Sequence, residues 1–124
     1  MSLKPYYVSV LVMDEDPAVL VFTARVLEGS GIRALLARTA DEAIGLAKMN
    51  YVPMDIVLAN KAMLAADTDL LKRIQEFRPA IRHLSMAAAV DGDVIRVQPL
   101  NSDRSLVEQI RTLATTPLIR NAAN

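Results

Sequence analysis

Val10-Leu11-Val12-Met13-Asp14-Glu15-Asp16-Pro17 is the stretch on which the fold turns. The valine-rich run from Tyr7 to Met13 reads as a strand buried on both faces. Asp16 followed by Pro17 then supplies an N-cap and a proline at the first helical position. The helix runs over Ala18–Glu28 with Val19, Phe22, Val26 and Leu27 on one stripe, and Gly29 or Gly31 closes it.

The same strand-then-helix order recurs along the chain. A second strand is expected at Arg33–Ala37, and Thr39-Ala40-Asp41-Glu42 is a capping box for a helix over Ala43–Met49. Asp55–Ala59 reads as the third strand. Asp67 or Thr68 caps a third helix ending at Phe77, with Leu70, Leu71, Ile74 and Phe77 facing inward and Pro79 beyond it. Strands follow at Arg82–Ala87 and Val94–Gln98. Ser102 or Asp103 then caps a last helix with Leu106, Val107, Ile110 and Leu113 on its apolar side. Strands alternating with helices imply an α/β fold on a parallel sheet.

Composition bounds the function. A length of 124 residues fits one domain, 1–124, with a core over about 6–114 and a loosely held tail at 117–124. With 52% hydrophobic residues the chain can bury a core. Lys+Arg and Asp+Glu both total 14, so the basic excess of a nucleic-acid binder is missing and no direct nucleic-acid partner is expected. No cysteine is present, which excludes disulfides and thiolate metal sites and points to the cytoplasm. No apolar run is long enough to span a membrane, and the first residues lack a signal-peptide layout.

The stretch Val10–Pro17 resembles the start of a response-regulator receiver domain, and the resemblance extends over about Val8–Leu113. It implies a flavodoxin-like doubly wound parallel sheet of order 2-1-3-4-5, with the site at the carboxyl ends of the strands. It also implies a constellation there. An Asp after strand three accepts the phosphoryl group, an acidic pair after strand one holds Mg²⁺, and a Thr or Ser and a Lys bind the phosphoryl oxygens.

Asp14 and Glu15 match the acidic pair. The position after Asp55-Ile56-Val57-Leu58-Ala59 holds Asn60, and an amide is no nucleophile for phosphorus. The Thr/Ser position falls on Ala87, with Ser85 there instead if the alignment shifts by two residues. Val97-Gln98-Pro99 places Gln98 where the family has Lys, and Ile95 replaces the usual aromatic residue. No catalytic residue is assigned. Asp55 opens its strand and is expected at the opposite edge of the sheet.

Only 88–93 separate the last two strands on this reading, too few for the helix of a parallel crossover. The fourth helix of the family is therefore missing or replaced by an extended segment. Asp91-Gly92 is a hairpin signal that would make the fifth strand antiparallel; the match at Val97-Gln98-Pro99 favours the parallel alternative. Losing that helix is expected to bare Leu84, Met86, Ile95 and Val97 as an interaction surface, covered by a second copy or by the tail.

The function that follows is a non-phosphorylatable signalling module acting by protein–protein interaction, not an enzyme. Its partner is another protein, other domains of a longer parent chain, or a second copy forming a homodimer. The alternative is a phospho-accepting receiver with a misread alignment. No cofactor or resident metal is expected; Asp14 and Glu15 read as a vestigial pair with at most weak affinity for Mg²⁺. His83, the sole histidine, is expected on a strand surface. Lys61 reads as a solvated loop amine, Arg73, Arg78 and Arg82 as a solvated face, and Met13, Met49, Met54, Met63 and Met86 as core filler.

Overall fold

The computed structural model describes residues 8–100 and 104–115. Its elements run β1 (Ser9–Met13), α1 (Pro17–Glu28), β2 (Arg33–Ala37), α2 (Ala40–Lys48), β3 (Ile56–Asn60), α3 (Lys61–Ala66), α4 (Leu70–Phe77), β4 (Arg82–Asp91), β5 (Val94–Pro99) and α5 (Leu106–Thr115). The strands form one sheet of order β2-β1-β3-β4-β5. This is the expected α/β architecture. β1, β2, β3 and β4 are parallel to one another. Every residue of β1 is buried, as its unbroken apolar run requires.

Two apolar layers sandwich the sheet. On one face Val10, Val12, Ile56, Leu58 and Met86 meet Val19, Leu20 and Leu27 of α1 and Leu106 and Ile110 of α5. On the other, Leu11, Met13, Val57 and Ala59 meet Ala43 and Ala47 of α2 and Leu70 and Ile74 of α4. The buried stripe of α1 is Val19, Leu20, Thr23 and Leu27; Phe22 and Val26, expected on it, are half-buried at its flank. Phe77 is likewise not inward: it is exposed, with the Lys48 ammonium 5.5 Å from its ring centroid. Met49 is exposed, unlike the buried Met13, Met54 and Met86.

The fifth strand overturns the parallel expectation. β4 does not stop at Ala87 but continues to Asp91, and β5 returns antiparallel from Val94, paired with Asp91, to Pro99, paired with Met86. The two-residue loop is Gly92-Asp93, and Gly92 takes φ 62°, a left-handed angle that glycine adopts without strain. The connection too short for a helix is thus mostly strand. No helix lies between β4 and β5.

The hairpin also corrects the bared face. Side chains alternate across a strand, and Leu84, Ala88, Ile95 and Val97 all pack on the α1/α5 side, around the fully buried Met86. The face left without a helix carries the opposite parity. It presents His83, Ser85, Ala87 and Ala89 of β4 with Val94, Arg96 and Gln98 of β5. Apart from Val94 beside the turn these are small or polar residues that tolerate water, so little apolar reason for covering that face remains.

Arginines expected as a solvated face instead secure helix ends. Arg78 donates to the carbonyls of Ala47 (2.9 Å) and Met49 (2.6 Å) at the end of α2, and Arg82 donates to the Leu113 carbonyl in α5. Both supply donors to terminal carbonyls that have no partner within the helix. Arg73 pairs with Asp67 at 2.5 Å. Asp67 does not cap α4; the N-cap is Asp69, without a side-chain bond. At α5, Ser105 and Glu108 form a capping box, Ser105 Oγ accepting from the Glu108 N–H and Glu108 Oε1 from the Ser105 N–H, each at 3.2 Å. The caps expected at Ser102 and Asp103, the start of the first strand at Tyr7 and the tail at 117–124 lie outside the described residues.

Candidate functional site

The parallel register brings the ends of β1, β3 and β4 to one edge. Met13 pairs with Ala59 and Asn60 with Met86, so Asp14 follows β1 where β3 delivers Asn60. One residue past Met86, Ala87 stands opposite Gln98 on β5. The residues singled out at Asp14, Asn60, Ala87 and Gln98 therefore gather at the carboxyl edge of the sheet. Ser85 pairs with Ala59, one step back from that edge. Asp55 lies at the other end, where its Oδ2 accepts from the Ser9 N–H at 2.8 Å.

Asp14 and Asn60 are in direct contact. Asn60 Nδ2 donates to Asp14 Oδ2 at 2.7 Å, and Asp14 Oδ1 accepts from the Asp16 N–H at 2.9 Å. Asp14 is only 4% exposed, so these donors satisfy its oxygens with little help from water. The other end of the amide is also engaged: Asn60 Oδ1 accepts from the Ala62 N–H at 2.8 Å and is the N-cap of α3. Asn60 is the last residue of β3. It is a two-way bracket, tying the end of β1 to the start of a helix.

That helix, α3, is missing from the sequence reading. Its signals were present: Asn60 is a favoured cap, and Lys61-Ala62-Met63-Leu64-Ala65-Ala66 is a run of strong helix formers. Lys61 opens it with an exposed side chain.

The other two carboxylates point elsewhere. Asp16 Oδ1 caps α1 at 2.9 Å from the Ala18 N–H, as the sequence implied, and Glu15 is exposed with its carbonyl accepting from Arg38 Nε at 3.4 Å. Among the described residues no group of three or more His, Cys, Asp or Glu side chains converges as a metal site. At the far side of the edge, Ala87 offers a methyl and Gln98 an exposed neutral amide. Leu84, Ile95 and Val97, expected as an interaction surface, are half-buried, and Met86 is buried.

Among solved structures, the chain is similar to one described as a transiently phosphorylated "switch" in bacterial signal transduction. The two share a fold. The match covers 88% of this chain and 94% of that one, with a TM-score of 0.58 and 21% sequence identity. No protein-family model matches the chain, and no curated protein does. No described helix is long and apolar enough to cross a membrane.

Proposed function

We propose that this chain is a receiver-like signalling module that does not accept a phosphoryl group and acts by binding other proteins. The observation that carries this reading is the bracket at Asn60. The residue where the resemblance puts the nucleophile is an amide, and both its ends are committed, to Asp14 and to the Ala62 N–H. An amide in that state offers no oxygen to phosphorus. The Asp14–Asn60 bond also satisfies the carboxylate that a cation would otherwise neutralise. Ala87 and Gln98 supply neither hydroxyl nor charge to a developing phosphoryl transition state.

On this reading 1–124 is one receiver-like domain working in the cytoplasm as part of a two-component or phosphorelay pathway, without enzymatic activity of its own. Its state is set by which proteins are present rather than by covalent modification. Its partners are other proteins or other domains of a longer parent chain. The bare face of β4 and β5, with His83, Arg96 and Gln98 exposed, leaves polar side chains free to meet them.

Incubation with acetyl phosphate and Mg²⁺, followed by intact mass measurement, tests the proposal. The expected spectrum is unchanged. A base-labile gain of one phosphoryl group would establish the alternative, a receiver that phosphorylates at a residue other than Asn60.

A further inference from the structure

Among the described residues the outer edge of β5 pairs with no strand, and the tip of its hairpin extends beyond β3. β3 stops at Asn60, opposite Met86, so from Ala87 to the turn β4 pairs with β5 alone. A two-stranded ribbon is marginal in water. Near its tip Val90 and Val94 are 50% and 53% exposed.

Hairpin geometry fixes which backbone groups point outward. With a two-residue loop, the closing pair Asp91–Val94 exchanges both backbone bonds. By alternation Val94, Arg96 and Gln98 direct their N–H and C=O groups to β4, and the Leu100 N–H continues the series onto the Ser85 carbonyl at 2.9 Å. Ile95 and Val97 therefore turn theirs away from the sheet, and Pro99 turns out a carbonyl only. β5 is the last strand of the sheet, so no described strand pairs with these groups.

We propose that two copies of the chain pair antiparallel through β5 about a two-fold axis, with Val97 facing Val97 of the second copy. Two-fold registers that set Pro99 directly against Val97 or Pro99 keep the fewest bonds, because Pro99 has no N–H, and three others set outward-facing residues against each other. Ile95 on Ile95 runs the pairing into the turn at Gly92-Asp93. Ile95 on Val97 places Arg96 directly opposite Arg96, a like-charge pair across strands. Val97 on Val97 sets Arg96 opposite the neutral Gln98 and lets each Ile95 N–H reach the Pro99 carbonyl of the other copy. Pro99, lacking an N–H, falls at the end of the ladder, where strand edges tolerate proline. Ile95, Val97 and Pro99 share one face, so this register extends the apolar layer around Ile110 across both copies. The pairing rests on backbone and register, and it stands whether or not the site takes a phosphoryl group.

The absence of cysteine makes the test clean. Facing residues in a bonded antiparallel pair lie about 5.5 Å apart at Cα, inside the roughly 4.4–6.8 Å span of a disulfide. Val97→Cys and, as control, Val21→Cys on the exposed side of α1 are oxidised at equal micromolar concentration. The wild type is run by sedimentation equilibrium. The expected result is a wild-type dimer, near-complete disulfide dimer for Val97→Cys and monomer for Val21→Cys. A monomeric wild type overturns the pairing, and so does a dimer in which Val97→Cys crosslinks no better than Val21→Cys.

Discussion

Replacing Asn60 by aspartate is the most informative single perturbation. The change keeps the size of the side chain and the oxygen that caps α3, but turns the donor 2.7 Å from Asp14 Oδ2 into a second carboxylate oxygen. The lost bond to a charged acceptor is worth about 1.5–3 kcal/mol. Two carboxylates with charge centres about 4 Å apart at an effective dielectric near 20 repel by about 4 kcal/mol. Asn60→Ala loses the bond and the cap without adding charge, so the two variants differ by the repulsion less the cap that aspartate keeps, worth about 1 kcal/mol. By chemical denaturation at neutral pH with a chelator, Asn60→Asp should be less stable than Asn60→Ala by about 2–4 kcal/mol. Millimolar Mg²⁺ should recover part of that difference, because a hard dication bridges carboxylates. An Asn60→Asp protein as stable as Asn60→Ala in chelator would refute the bracket.

Other substitutions probe the layers and caps. Met86→Ala should cost about 2–5 kcal/mol, because Met86 is fully buried; His83→Ala on the exposed parity of the same strand should change stability by less than about 0.5 kcal/mol. Thr23 is buried in α1 and its hydroxyl has no partner among the described residues, so Thr23→Val should raise the unfolding free energy by about 1 kcal/mol; a drop would mean the hydroxyl is bonded. At the α5 capping box, the backbone and side-chain bonds to Ser105, helped by nearby Arg104, hold the Glu108 carboxyl below its ordinary range. That depression favours the folded state at neutral pH, and the benefit disappears as acidification protonates Glu108 in the folded chain. Glu108→Gln should remove this component of the acid dependence, read as the difference between the two pH–stability curves.

Much of the fold was legible because its signals were local and agreed. The strand-to-helix step at Met13–Pro17 and the apolar runs at 9–13 and 56–59 fix the sheet order through the resemblance they support, and Asp16 caps α1 as its position demands. The hairpin was signalled by Asp91-Gly92, yet the likeness of Val97-Gln98-Pro99 to a parallel ending outweighed it. Both features coexist, since an antiparallel β5 still delivers Gln98 and Pro99 to the carboxyl edge. The parity of β4 was assigned to the wrong face. A one-residue choice exchanges every side chain between faces, and His83, Ser85, Ala87 and Ala89 with Arg96 and Gln98 already formed the wettable set. At the site, residue types were readable but their bonds were not. That Asn60 brackets Asp14 and α3 depends on a contact between residues 46 apart in sequence.

The Asn60 side-chain amide reports directly on whether the bond to Asp14 persists. Its two Nδ2 protons can be followed by ¹H–¹⁵N spectroscopy while Mg²⁺ is raised to about millimolar levels and acetyl phosphate is then added. The amide should keep one proton bonded to Asp14 throughout, with no saturable shift at Asp14, Glu15 or Asn60. A localised, saturable movement of those signals on adding Mg²⁺, followed by further change with the phosphoryl donor, would mean that the site opens, binds the cation and reacts.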